Sequence, residues 1–327
     1  MNDIGVVIIG RNEGERLKVC IRSFSTNDLN IVYVDSGSTD GSVQLVKELG
    51  FDVIDLDMSQ PFSAARARNE GYQFLLGQYE EINFIQFVDG DCEISRGWLN
   101  IAYEHLQHHQ GLASVCGRRK ERYADRTIYN QLCDIEWDTP VGIAMATGGD
   151  FMCRKQALVD VQGFDPQVIA GEEPELCFRM RKLGWKIERL GVDMTVHDAH
   201  ITKFSQWWRR CERSGHAYAQ GFCMHGGSDE KYYRGDVARI LLWALIVPLL
   251  IVFGVVFFGY WVLLLCVLYF VKIAQIFTRE VRCRRAGVAL AYASSLMFGK
   301  FPQCKGAFSF LMRSIFRKTF QIIEYKV

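Results

Sequence analysis

From residue 240 to residue 271 the chain carries no charged side chain: ILLWALIVPLLIVFGVVFFGYWVLLLCVLYFV. One membrane-crossing helix needs roughly 20 apolar residues, so this run is too long for one crossing and slightly short for two. Gly259 near its middle offers a turn, and Tyr260 and Trp261 beside it suit a membrane interface. A transmembrane helical hairpin over 239–277 fits better than one buried core helix. Arg234 and Arg239 precede the run, and Arg279, Arg282, Arg284 and Arg285 follow it. Basic residues on both flanks put both ends on the cytoplasmic side. The expectation is an integral protein of a bacterial-type inner membrane, with its N-terminal domain in the cytoplasm.

Charge is unevenly spread. The 327 residues sum to +1, yet residues 278–327 alone hold ten Lys or Arg against two Glu. A near-neutral total argues against a nucleic-acid partner, and a basic tail points to anionic membrane lipid. Phe308, Leu311, Ile315 and Phe316 recur at helical spacing, with Arg313, Arg317 and Lys318 between them. That pattern predicts an amphipathic helix lying on anionic lipid, or one packed on the catalytic domain. Residues 211–238 are expected to form an interfacial linker helix. The eleven cysteines include no C-x-x-C pair, which predicts reduced thiols rather than a disulfide framework or zinc site. A strand-like run begins at Ile4 with no basic segment before it, which predicts no signal peptide.

Residues 1–210 alternate apolar runs at 5–9, 31–34, 53–56 and 84–88 with helical patterns at 13–25, 41–49 and 62–76. This order predicts an α/β fold with a mostly parallel sheet. Ligands of such sheets bind beyond the carboxyl ends of the strands, so the polar residues that follow each strand are the candidates. They are Asn12 and Glu13 after the first run, Asp35 and Ser36 after the second, and Asp89-Gly90-Asp91 after the fourth. Asp35 can accept hydrogen bonds from a base or ribose, or shape a turn with Ser38, Thr39 and Asp40. Two carboxylates about a glycine suit Mg²⁺ or Mn²⁺, which take oxygen ligands and leave positions for phosphates.

These motifs occur in a fixed order: VIIGRNE, VDSGSTDG, ARARNEG, FVDGD, GGDFM and GEEPELCFR. Together they resemble the family 2 glycosyltransferases, inverting enzymes of the GT-A fold that use nucleotide-sugar donors. The resemblance covers about residues 4–210. It implies that Asp35 holds the base or ribose side of a UDP- or GDP-linked donor, with Asn12, Glu13 and Ser36 around it. It implies that Asp89 sits by ribose and diphosphate, that Asp91 binds the metal, and that Arg66 and Arg68 face the donor. Gly149 and Asp150 would line the sugar and acceptor pocket. The family's acceptor-side motif is usually Glu-Asp, with the second acid as general base. Here it reads Glu172-Glu173, which makes Glu173 the base and Glu172 the runner-up. A late histidine completes the metal shell in many GT-A enzymes, and His197 is the nominee ahead of His200. Gln206, Trp207, Arg209 and Arg210 resemble the Q-x-x-R-W motif of processive synthases, with Arg210 where that motif has Trp. An amphipathic interfacial helix explains those four as well.

The expected function is sugar transfer, with inversion, to a hydroxyl of a lipid-linked or glycan acceptor at the membrane. A polyprenyl-phosphate sugar synthase is the nearest alternative, and an inactive nucleotide-sugar-binding scaffold is another. A transporter fits poorly, because the apolar run carries no intramembrane charge.

Overall fold

The computed structural model describes residues 3–24, 29–316 and 323. The chain divides into two compact units, one of residues 1–123 and 133–199, the other of 124–132 and 200–327. In chain order the first unit's early elements are β1 (Ile4–Gly10), α1 (Glu15–Ser23), β2 (Asn30–Asp35), α2 (Ser42–Glu48), β3 (Asp52–Asp55), α3 (Ala64–Gln78), β4 (Phe84–Asp89), β5 (Cys92–Ile94), α4 (Trp98–His108) and β6 (Leu112–Glu121). After α5 (Ile128–Trp137) come β7 (Gly142–Ala144), β8 (Phe151–Arg154), α6 (Lys155–Asp160), α7 (Glu172–Lys182) and β9 (Lys186–His197).

The strands form one sheet in the order β3-β2-β1-β4-β8-β6-β9-β5, with β7 paired to β9. β1, β2, β3 and β4 pair in parallel, and β6 pairs in parallel with β9. β8 runs against both β4 and β6 and joins the two parallel sets, so β5, β7 and β8 are the reversed strands. The mostly parallel α/β fold read from the sequence is borne out. β1 and β2 read as unbroken apolar runs, and β4 does so apart from Gln86, whose buried amide accepts from Trp98 Nε1, because helices cover both faces of such a sheet. α3 lies close on that sheet. A Cβ on its Gly71 would fall 2.4 Å from Val7 Cγ1, so only glycine lets helix and strand approach this near.

The second unit is helical among the described residues: α8 (Phe204–His225), α9 (Arg234–Leu241), α10 (Val247–Phe258), α11 (Val267–Glu280), α12 (Ala286–Phe298) and α13 (Lys300–Ile315). The expected boundary at 210 falls inside α8. Residues 211–238 are therefore not a separate linker helix but the end of α8, a turn and the start of α9. Two continuous helices, Arg234–Phe258 and Tyr260–Glu280, are long and apolar enough to cross a membrane. Only 17% and 6% of their most apolar windows are buried, which is unlike the core helix of a soluble domain. Gly259, at φ 95°, makes the turn between them, as the sequence suggested.

The first of these helices widens into a π-turn at Leu242–Ile246. The cause is Pro248, which has no N–H to donate. Val247 N–H bonds to Leu242 O, so the Trp243 carbonyl has no backbone donor five residues on, and the Tyr269 hydroxyl donates to it instead. An unpaired carbonyl would be costly in an apolar medium.

α13 packs against α8 at two glycines. A Cβ on Gly215 would sit 1.9 Å from Gln303 O, and one on Gly306 would sit 1.9 Å from Glu212 O. Phe310 is buried with Ala219 and Ala307, while Phe308, Leu311, Ile315 and Phe316 stay exposed. One face of this helix packs on α8, and the other presents an exposed apolar row. Arg317 and Lys318 lie outside the described residues.

Candidate active site

Beyond the ends of β1 and β2 the polar side chains bond to one another. The Asp35 carboxylate accepts from the Tyr33 hydroxyl at 2.9 Å, Gly37 N at 2.9 Å, Ser38 N at 2.7 Å and Ser38 Oγ at 2.5 Å. Asn12 N donates to Ser38 Oγ, and Asn12 Oδ1 accepts from Thr39 N at 2.7 Å. The two loops are thereby locked to each other. Ser36 N donates to Gly10 O, and Glu13 pairs with Arg16 at 2.9 Å. Arg66 does not face this rim. Its guanidinium donates to the carbonyls of Asp57, Gln60 and Pro61 and so fastens the loop before α3.

Beyond the end of β4 the picture differs. Arg68, buried to 2% exposure, reaches Asp89 Oδ1 at 2.9 Å, Glu172 Oε1 at 3.1 Å and Glu173 Oε1 at 3.0 Å. Asp89 also meets Arg119 Nη2 at 3.1 Å, and Arg119 Nε lies 3.4 Å from Asp150 Oδ2. Asp150 accepts from Asp89 N at 3.1 Å and from Thr195 Oγ1 at 2.7 Å. A Cβ on Gly149 would fall 2.6 Å from Asp89 Oδ2, so the backbone there must be glycine for the cluster to close. Asp150 is 0% exposed, whereas Asp89 is 29% and Glu173 13% exposed. Asp89 and Glu173 can meet a ligand, and Asp150 is foundation.

The charges in the cluster are tuned by burial and neighbours. Burial works against the Asp89 carboxylate, but Arg68 and then Arg119 outweigh it and hold Asp89 below the usual carboxylate range. Burial raises Asp150, with Arg119 opposing it. Glu173 is pushed up to about 7 by burial and then by the charge of Glu172, against the pull of Arg68. Glu172 and Glu173 open α7 directly after Gly171, which takes the left-handed backbone at φ 77°. The positive end of the helix dipole favours acids in that first turn.

Asp91 stands beside a histidine at the end of β9. His197 Nε2 lies 3.2 Å from Asp91 Oδ2, and Nδ1 lies 4.0 Å from Glu121 Oε2. The pairing of β5 with β9 sets Cys92 opposite His197, which brings the two ligand types together. Asp91, Cys92 and His197 have donor atoms within 4.8 Å of one another, as do Asp89, Cys92 and Asp150. Glu121 Oε2 accepts from Ala199 N at 2.9 Å, and the Trp137 ring meets the His197 ring edge-on at 4.8 Å. Oxygen and imidazole donors of this kind suit a divalent cation. Asp89, Asp91, Asp150, Glu172 and Glu173 set five carboxylates against the guanidiniums of Arg68 and Arg119. The excess of negative charge is what a bound cation would balance.

The other residues named from the sequence belong to the second unit. His200 is exposed, beyond the end of β9, in the second unit. Gln206 caps α8, its Oε1 accepting from Thr202 N at 2.8 Å and Lys203 N at 3.1 Å. Trp207 is buried, stacked on Tyr129 and in tilted contact with Phe204. Arg209 is exposed and Arg210 half-buried on the same helix. Sequence reasoning missed Arg119 and Glu121. Both lie on β6 in the run RRKE, where acids and bases mass at a strand end.

The sequence model of the family described as "Glycosyl transferase family 2" matches residues 5–158. Two curated relatives, each a "Pre-mycofactocin glycosyltransferase" of Mycobacterium tuberculosis (strains CDC 1551 / Oshkosh and ATCC 25618 / H37Rv), are 27% identical over 225 residues. The match takes in 64% of this chain and 45% of theirs, so it spans less than half the length of the curated relatives. A solved structure, "Mannosyltransferase PcManGT from Pyrobaculum calidifontis in complex with GDP-Man and Mn2+", superposes with TM-score 0.55 at 15% identity. It covers 97% of this chain and 88% of that one. That likeness shows a shared GT-A fold.

Proposed function

The chain belongs to glycosyl transferase family 2 through residues 5–158, and from that premise we propose that it transfers one hexose, with inversion. The donor is a UDP- or GDP-linked sugar. The acceptor is a hydroxyl on a lipid-linked or glycan molecule at the membrane, in glycan or glycolipid assembly. The observation that carries this reading is the link from Glu173 through Arg68 to Asp89, with Asp91 and His197 close by in sequence and strand pairing. A proton acceptor and a cation-binding set thereby belong to one rim.

Glu173, with its carboxyl near 7, is matched to taking the acceptor's hydroxyl proton at neutral pH. The oxygen so freed attacks the anomeric carbon from the face opposite the nucleotide. Arg68 holds Glu173 and Asp89 in fixed relation, and Arg119 does the same for Asp89 and Asp150. Mn²⁺ or Mg²⁺ held by Asp91 and His197, with Asp89 close by in the chain, would neutralise charge on the departing diphosphate. The GDP-Man and Mn2+ in the mannosyltransferase structure support that donor class and that ion. A phosphate acceptor is already an anion and needs no base, so Glu173 favours a hydroxyl over a polyprenyl phosphate. The two apolar helices support an integral membrane protein, and the arginines on both flanks support a cytoplasmic first unit.

The test is an assay of the full chain in membranes with GDP- and UDP-hexoses. Nucleoside diphosphate release and the anomeric configuration of the product are followed by NMR. Acceptor-dependent release with inverted configuration supports the reading. Retained configuration, or no release from any donor, refutes it.

A further inference from the structure

The second unit holds a cavity of about 580 Å³ that the proposed chemistry does not use. Its walls are apolar: Ile128 and Tyr129 of α5, Phe204, Trp207 and Trp208 of α8, and Phe298 of α12. The small side chains Ala291, Ser294 and Ser295 leave room along α12, and Phe301 of α13 closes one side. Water gains nothing from such a lining, and a pocket of this size is ordinary for a ligand of a few hundred daltons. Two observations say what fills it.

The first is continuity with the apolar hairpin. The Phe301 ring that lines the cavity stacks on Tyr269 of α11 at 6.3 Å between centroids. Tyr269 in turn packs on Trp243 of the preceding helix at 5.3 Å. The cavity wall is thus built onto the two helices that are long and apolar enough to cross a membrane. Ile128, Phe204 and Phe298 remain 38%, 56% and 56% exposed, which aqueous surroundings would penalise and lipid would not.

The second is charge. A neighbouring cavity of about 420 Å³ shares Phe204 and Trp208 with the first, and Arg209, Glu212 and Lys305 line it. Lys305 Nζ lies 2.8 Å from Glu212 Oε2, with its side chain 60% exposed. Two cations against one carboxylate leave a net charge of +1 beside an apolar slot. A phosphodiester carries one negative charge and matches it. A phosphomonoester carries ~1.5–2 at neutral pH and matches it less well.

We propose that this paired cavity binds one anionic phospholipid of the surrounding membrane, with an acyl chain in the apolar slot and the phosphodiester at Arg209 and Lys305. The assignment rests on the membrane reading of the hairpin. It does not depend on the sugar-transfer chemistry.

The test uses the full chain, purified in detergent, stripped of lipid and examined by native mass spectrometry. Palmitoyl-oleoyl phosphatidylglycerol and phosphatidylcholine of the same chains are titrated separately. One phosphatidylglycerol per chain should be retained, at least ten-fold more tightly than phosphatidylcholine. Ser294→Phe and, independently, Ala291→Phe fill the slot and should weaken phosphatidylglycerol at least ten-fold. The double variant Arg209→Gln, Lys305→Gln should abolish the preference between headgroups. Each variant is first shown to match the wild-type melting curve. Equal retention of the two lipids, or phosphatidylglycerol binding indifferent to both slot-filling variants, overturns the proposal. So does retention of a polyprenyl phosphate in place of phosphatidylglycerol. Alkaline carbonate extraction of membranes separates the two levels of claim. A protein released by carbonate loses the membrane reading, and a carbonate-resistant protein without the headgroup preference loses only the lipid site.

Discussion

Two rims of one sheet invite comparison. Beyond β1 and β2, Asn12, Asp35, Ser38 and Thr39 bond to one another and lock two loops together. Beyond β4, Asp89 and Glu173 share Arg68 and keep part of their surface open. The first rim is polar but internally satisfied, and the second holds more carboxylates than cations. A self-satisfied loop costs little to maintain and offers a preformed shape. A cluster of like charges is costly to bury and persists where something else supplies the balancing charge. The difference assigns shape to the first rim and chemistry to the second.

The comparison breaks first at Asp91. Asp91→Ala should cut sugar transfer by about 10³-fold or more, because charge on the leaving diphosphate loses its counter-ion. EDTA should do the same to the wild type, with recovery on adding Mn²⁺ or Mg²⁺. Nucleoside diphosphate release measures both, and full activity in excess EDTA contradicts the assignment. Glu173→Gln should lose roughly 10²–10⁴-fold in turnover while nucleotide-sugar affinity, read by calorimetry, stays within a few-fold.

Arg68 sharpens the comparison through stability. Arg68→Met leaves Glu172, Glu173 and Asp89 without their shared cation, and should destabilise the first unit by about 3–5 kcal/mol. Chemical denaturation followed by fluorescence would measure it. Arg66→Ala, two residues away, should cost about 1 kcal/mol and change turnover less than three-fold, since it loses only exposed bonds to loop carbonyls. Equal losses at Arg66 and Arg68 would contradict the assignment of the charged cluster to Arg68 alone.

Much of this was legible in the sequence for a physical reason. β1, β2 and β4 are covered on both faces, so they read as apolar runs broken only by Gln86, and the acids Asp35 and Asp89 that end β2 and β4 mark the rim. The Gly259 turn was legible because this glycine lies near the middle of the apolar run with Tyr260 and Trp261 beside it. Arg66 and Arg68 were not separable. Residues two apart on a helix point about 200° from each other, so only one can face the cluster, and the motif does not say which. Arg119 and Glu121 were hidden by the irregular pairing of β6 with β9, whose register shifts at Cys116/Arg118 and Arg118/Arg119. Such bulges re-aim side chains and defeat a period-two reading. Gln206, named from a motif resemblance, caps α8 through its side-chain amide, a local role that the motif does not carry.

The central claim is that Glu173 takes the acceptor's proton, and the pH dependence of transfer tests it most directly. Glu173 must be ionised to act, and its carboxyl is raised to about 7. Below that pH the base form is lost tenfold per unit, so kcat/KM of the wild type should fall with unit slope as pH drops from about 7 to 5.5. Above about 7 it should level off. In Glu173→Gln the residual rate should show no such acid limb. A wild-type profile flat down to pH 5.5, or an acid limb unchanged in Glu173→Gln, would contradict the account.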